Sequence, residues 1–147
     1  MAQLIQNRKA RFNYEILEKF AAGLELLGTE VKSIRKGQGS LEGAHVIIRG
    51  KEAYLIGAHI PAWQPKNSGG YEPERNRRLL LGKKEIHELS LAENKKGLTI
   101  VPLSVYNKGR WMKVDVAIAS GKKKFDKRET IKKRDTDRDI RRQFSDH

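Results

Sequence analysis

Between Tyr14 and Leu26 the apolar residues fall mostly on alternate positions. Tyr14, Ile16, Phe20, Ala22, Leu24 and Leu26 line one side, and Glu15, Lys19 and Glu25 the other. That is the period of a half-buried strand. Phe12, Ile16, Phe20, Leu24 and Leu27 also recur at about one helical turn, so the pattern admits a helix too; Gly23 tips it slightly toward a bent strand. Residues 28–37, GTEVKSIRKG, predict a helix of two to three turns. Thr29 is its N-cap, Glu30 lies in the first turn, Arg35 and Lys36 in the last, and Gly37 is the C′ glycine. Residues 44–60 predict two short strands joined at Arg49-Gly50-Lys51-Glu52. Residues 61–76 hold three prolines and two adjacent glycines, which makes a long loop of the kind that often carries function. A second helix is expected within residues 80–95, with Ile86 and Leu89 inward and Gly97 as its stop. Two strands follow, 98–106 and 110–119, with Asn107-Lys108-Gly109 as the turn. In the second, Trp111, Lys113 and Asp115 alternate with Met112, Val114 and Val116.

About five strands and two helices fit a small closed or nearly closed β-barrel with helices at its side, an arrangement that removes sheet edges. Residues 1–120 make this body. Residues 121–147 have too few apolar side chains to fold alone and are expected to be disordered in isolation. The segment Gly121–Asp135 alone carries eight Lys or Arg among three acids. Across Asp126–Phe144, Glu129 with Lys132 and Lys133, Asp135 with Arg138, Asp137 with Arg141 and Asp139 with Arg142 stand at helical spacings, so a nascent helix is expected there.

Charge narrows the function. Lys and Arg outnumber acids by 31 to 18, a formal net charge of +13. Such a chain is expected on a polyanion, with nucleic acid the default and an anionic membrane surface the competitor. The sequence shows no apolar run of spanning length, no signal peptide and no lipidation motif. It has no cysteine, which excludes disulfides and thiolate chemistry and suits a reducing cytoplasm, the expected location. His45, His59, His87 and His147 are scattered, and Gly37-Gln38-Gly39-Ser40 lacks the Lys-Ser/Thr pair of a phosphate loop. A binder without cofactor or metal is therefore expected rather than an enzyme. Basic clusters recur at Asn7–Arg11, at Lys32, Arg35 and Lys36, at Arg75–Lys84 and at Arg110–Lys113 beside Trp111. Each alone fits a solvated surface; together with a basic tail they point to RNA or single-stranded nucleic acid.

Several stretches also resemble one family. They are Asn7-Arg8-Lys9-Ala10, Tyr14 and Gly23, GTEVKSIR from Gly28 to Arg35, Arg77-Arg78-Leu79-Leu80-Leu81 with Glu85-Ile86, Gly97–Leu103, and Lys113-Val114 running into Gly121-Lys122-Lys123 and Asp126-Lys127-Arg128. In this order they resemble small protein B, the SsrA-binding proteins of bacterial trans-translation. The resemblance implies an oligonucleotide-binding (OB)-type β-barrel with flanking helices, a strand for Tyr14–Leu26, and no catalysis. It implies binding to the tRNA-like domain of transfer-messenger RNA and delivery to stalled ribosomes, together with elongation factor Tu carrying GTP. Contact with the tRNA-like domain is implied for Asn7, Lys9, Glu30, Lys32, Arg35, Leu80 and Lys113, with Arg77 and Arg78 as phosphate partners. Gly121, Lys122, Lys123, Lys124, Asp126, Lys127 and Arg128 are implied to contact the ribosome, as the tail enters the empty mRNA channel and becomes helical. Many members carry an acid where this chain has Ala21, and a histidine where it has Phe12. A general ribosomal or initiation-type OB-fold protein would share charge and fold, and would sit on ribosomes whether or not they are stalled.

Overall fold

Two eleven-residue strands, β6 (Leu98–Lys108) and β7 (Trp111–Gly121), form the hairpin on which the rest is built. The structure is a computed structural model, and it describes residues 3–64 and 69–121. In chain order the other elements are β1 (Gln3–Gln6), α1 (Arg8–Asn13), β2 (Tyr14–Leu24), α2 (Gly28–Arg35), β3 (His45–Arg49), β4 (Glu52–Ile56), β5 (Arg77–Leu80) and α3 (Lys83–Glu93). The strands form one seven-stranded antiparallel sheet in the order β1-β6-β7-β2-β5-β4-β3. No ladder closes it among the described residues, although β3 lies beside β6 across the core. An edge N–H, that of Ile48 on β3, is instead taken by Glu93 Oε2 of α3 at 2.6 Å.

Tyr14–Leu24 is a strand, and its alternation hides a change of face. Ile16 pairs with Ala119 and Glu18 with Ile118, so Leu17 is an extra residue, a bulge. Residues directly opposite share a face. Tyr14 and Ile16 therefore lie with Ala117, Ala119, Val101 and Leu103 under α1, where Ala10 packs. Phe20, Ala22 and Leu24 lie in the main core with Val114, Val116, Ile118, Ile100 and Leu89. A matching irregularity between Pro102 and Ser104 in β6 keeps the two strands in step.

The helix ends follow the residues. α2 closes with Gly37 at φ 76°; its N–H donates to Ile34 O at 2.8 Å, and the Gln38 N–H to Ser33 O at 3.0 Å. That is the expected C′ glycine. The N-cap position is Leu27 rather than Thr29. α3 lies within the expected window and buries Leu89 and Ala92, but it ends at Glu93 with Asn94 as its C-cap, short of the expected stop at Gly97. The β6–β7 turn is Gly109-Arg110, with Lys108 opposite Trp111, later than the expected Asn107-Lys108-Gly109. β1, α1 and β5 were not expected. The N-terminal basic run holds a helix because Asn7 Oδ1 accepts the Ala10 N–H at 3.2 Å, capping α1.

Candidate nucleic-acid interface

The long loop is held by a buried acid. Glu30, in the first turn of α2, has no exposed surface. Its carboxylate accepts the Leu27 N–H at 2.8 Å, the Tyr71 hydroxyl at 3.0 Å, Arg77 Nε at 2.8 Å, and Arg75 through Nε at 3.1 Å and through Nη2. Burial alone would raise its pKa; the hydrogen bonds from Arg75, Leu27 and Arg77, with the charge of Arg77, outweigh it and hold the carboxyl below its ordinary value. Arg77 is equally buried. Its other donors reach Ala58 O (2.9 Å), Arg75 O (3.1 Å), Tyr71 Oη (3.2 Å) and Pro73 O (2.8 Å). All five guanidinium N–H groups are thus used within the protein. Ser33 Oγ donates to Pro61 O at 2.8 Å and Tyr71 Oη reaches Ile60 O at 2.8 Å, so Ile60 and Pro61 at one end of the loop and Tyr71, Arg75 and Arg77 at the other are tied to α2 and to one another.

Two of the residues expected at the contact are thus engaged inside the protein. Arg77 has no donor left for a phosphate, and Glu30 has no surface to present to a base; both set the position of the loop. Asn7 is also buried. Its Nδ2 donates to Leu41 O at 3.2 Å and Pro102 O at 2.9 Å while Oδ1 caps α1, so it fixes the helix that carries Lys9.

Other expected residues gather on the outer face of β5, β2 and β7. Gly23 stands opposite both Leu80 and Lys113, so these three share a face. A Cβ on Gly23 would come within 3.1 Å of Leu80 Cβ; the glycine lets that leucine lie across the sheet. Leu80 is nonetheless 46% exposed, and Trp111, farther along the same face, is 69% exposed. With Arg110, Lys113, Leu26 and Val31 they line a cleft of about 520 Å³. Arg78 lies on the outward side of β5, alternating with buried Arg77, and ion-pairs with Glu52 at 3.1 Å. The face thus has apolar and aromatic side chains at its centre and cations around them, with Glu25 and Glu52 at the rim paired to Arg78. Ala21 also opens on it, in the place where the resembled family often has an acid.

Lys32 and Arg35 are exposed on α2, near Lys36, whose ammonium sits 4.6 Å from the centre of the Trp63 ring. Lys9 is exposed on α1 and pairs with Glu42 at 2.6 Å. Gly121, the first residue of the expected tail, ends β7 opposite Tyr14; Lys122, Lys123, Lys124, Asp126, Lys127 and Arg128 lie outside the described residues. The contact assignment omitted Trp111 and Arg110, although the alternation of β7 already set Trp111 on the side of Lys113. Nothing in the sequence joined Tyr71 and Arg75 to Glu30.

An antiparallel β-protein with a cation-rimmed, aromatic outer face belongs among nucleic-acid-binding β-proteins by architecture. The particular family follows from comparison with known proteins. The family model described as SmpB protein matches residues 4–146, and the chain belongs to that family. It is 50% identical over 139 residues to the SsrA-binding protein of Gloeobacter violaceus, covering 95% of this chain and 91% of the relative. It is 51% identical over 138 residues to that of Elusimicrobium minutum, covering 94% and 88%. A solved structure reported as "tmRNA-SmpB: a journey to the center of the bacterial ribosome" contains a chain that superposes with TM-score 0.70 at 40% identity, covering 82% of this chain and 85% of that one.

Proposed function

We propose that this protein is a non-catalytic RNA-binding factor of trans-translation. It binds the tRNA-like domain of transfer-messenger RNA and brings it to stalled ribosomes, with elongation factor Tu and GTP joining through the RNA, in the cytoplasm. The carrying observation is the family match along residues 4–146, with relatives named for binding SsrA. The surface is suited to the task. Leu80 and Trp111 offer stacking area to unpaired bases, while Lys113, Arg78, Lys32, Arg35 and Lys9 offer charge to phosphates. Asn7, Glu30 and Arg77 act as positioning residues behind that surface. The nearness of β3 to β6 supports the OB-type barrel, curled although not closed by hydrogen bonds. The tail from Gly121, with Lys122 to Lys124, Asp126, Lys127 and Arg128, enters the empty mRNA channel and folds there as a helix. Its composition supports this, since a basic, apolar-poor segment finds its partner in a tube walled with RNA phosphate.

The test is to purify the tagged chain from its own cells at moderate salt and sequence the RNA that accompanies it. One dominant species with an alanine-tRNA-like end and an internal reading frame is expected. Ribosomal RNA alone, or an even spread of transcripts, would replace this function with that of a general ribosomal binder.

A further inference from the structure

The outer face does not stop at Leu80. The cleft beside it, about 470 Å³, continues past Arg78 and Lys113 to Lys51, Lys83 and Ile86. Lys51, Lys83 and Ile86 also line a second groove, about 490 Å³, which runs along α3 and is completed by Ile48, Gly50, His87 and Ser90. Lys83, Ile86, His87 and Ser90 stand at the spacing of a single helix face, so this groove follows the side of α3 opposite the β3–β4 turn. The acids nearest the shared part are already engaged. Glu52 binds Arg78 at 3.1 Å and Tyr54 Oη at 2.6 Å, and Glu85 accepts the Gly82 N–H at 3.2 Å. Lys51, Lys83 and Lys113 form no ion pair among the described residues.

Lys51 also stands where a lysine is unfavourable. It is the one non-glycine among the described residues with a positive φ, 70°, in the two-residue turn Gly50-Lys51. Glycine is the favoured residue there. A side chain kept against the local preference, at the junction of two cationic grooves, asks for a ligand.

We propose that the groove between α3 and the β3–β4 turn is a second phosphate-binding stretch for the RNA that lies on the Leu80–Lys113 face, formed by Lys51 and Lys83 with His87 and Ser90 beyond them. Continuity of the two grooves selects the same RNA strand rather than a separate ligand. The proposal rests on the function given above.

The experiment uses the full chain and a transcript of the tRNA-like domain of transfer-messenger RNA, with affinity measured across a salt series. Lys51→Gly is the main variant, because it removes the ammonium and relieves the backbone. It should unfold at or above the wild-type temperature, yet bind roughly three- to tenfold more weakly, with the log affinity–log salt slope reduced by about one. Lys83→Ala should lower the slope by a similar amount, and the double variant by about twice that. Lys96→Ala, exposed near the other end of α3, controls for net charge and should leave the slope unchanged. Slopes at the wild-type value in both Lys51→Gly and Lys83→Ala overturn the proposal, as does an equal loss in Lys96→Ala. Should Lys51→Gly prove less stable, Lys83→Ala decides alone. The function itself fails differently: the wild type would not bind the transcript, or Leu80→Ala would bind as tightly as wild type.

Discussion

Glu30→Gln is the sharpest perturbation of this fold. The carboxylate receives the Leu27 amide, the Tyr71 hydroxyl and two arginines. A glutamine offers one acceptor oxygen, and its amide nitrogen would face donors from which it cannot accept. It also leaves Arg77, without exposed surface, as a buried cation lacking its counter-charge. Removing one partner of a buried pair costs about 3–5 kcal/mol. For a domain of this size each kcal/mol is worth roughly 4 °C, so Tm should fall by about 12–20 °C. Scanning calorimetry at neutral pH measures it. A fall of less than about 4 °C would refute the reasoning, because the cluster would then carry little of the stability. The pH dependence gives a second check. The folded carboxyl lies below its ordinary value, so its contribution is fully present above the unfolded pKa, about 4.3, and is lost as pH falls through the folded one. The gap between wild type and variant should narrow on acidification through that window. A gap that stays constant to pH 2 would mean that Glu30 is not the titrating group.

Trp111→Ala should change stability by no more than about 0.5 kcal/mol, since the ring is exposed, yet weaken binding to the tRNA-like domain by about 1–3 kcal/mol; equal affinity by filter binding would remove Trp111 from the interface. Gly23→Ala sets a methyl 3.1 Å from Leu80 Cβ, which moves only with the β5 backbone, so stability should drop by about 1–3 kcal/mol while RNA affinity falls about as far as in Leu80→Ala. A Gly23→Ala variant that binds like wild type would show that the placement of Leu80 is immaterial. Ending the chain after Gly121 keeps the pairing of Gly121 with Tyr14, so binding should stay within a few-fold while peptide tagging on stalled ribosomes is abolished; loss of RNA binding in this variant would overturn the division into body and tail.

The strands after Ala44 other than β5 were legible because their side-chain periods are local, as was the stop of α2 at Gly37, whereas the pattern of Tyr14–Leu26 left strand and helix both open and α3 ends at Glu93, short of Gly97. Three elements escaped for different reasons. β5 reads Arg77-Arg78-Leu79-Leu80, and its inward residues are Arg77 and Leu79. An arginine inside the sheet reverses the rule that charge faces out, and it is tolerated only because Glu30, 47 residues earlier, is there to meet it. That pairing is long-range and leaves no periodic trace. α1 has six residues and hides in a basic run, its Asn7 cap being the one local hint. β1 has four residues and little pattern to show. The bulge at Leu17 was invisible because an added residue restores the even-odd numbering while switching the face. Of the site, Leu80 and Lys113 were named from the resemblance, and the structure brings them together across Gly23. Glu30 and Arg77 were named for contact and prove to be buried.

The buried cluster explains how a chain with so large a positive charge holds a long loop at all. Residues 61–76 have few apolar side chains with which to enter the core, and their backbone groups must be satisfied somewhere. Arg77 supplies donors to Ala58, Pro73 and Arg75 carbonyls at once, and Glu30 supplies the charge that lets such an arginine be buried. An apolar pair of similar volume would match their packing without supplying those donors. On the proposed function, the acid in the first turn of α2 would serve RNA binding at one remove. It fixes the loop against the helix that exposes Lys32 and Arg35, and it fixes the inward register of β5 that turns Arg78 and Leu80 outward. A Glu30→Met, Arg77→Met double variant distinguishes the two roles. It should recover much of the stability lost by either single change, as removal of both buried charges allows, while the loop loses its anchor and RNA affinity stays low. Recovery of both together would mean that the cluster acts on RNA binding only through global stability.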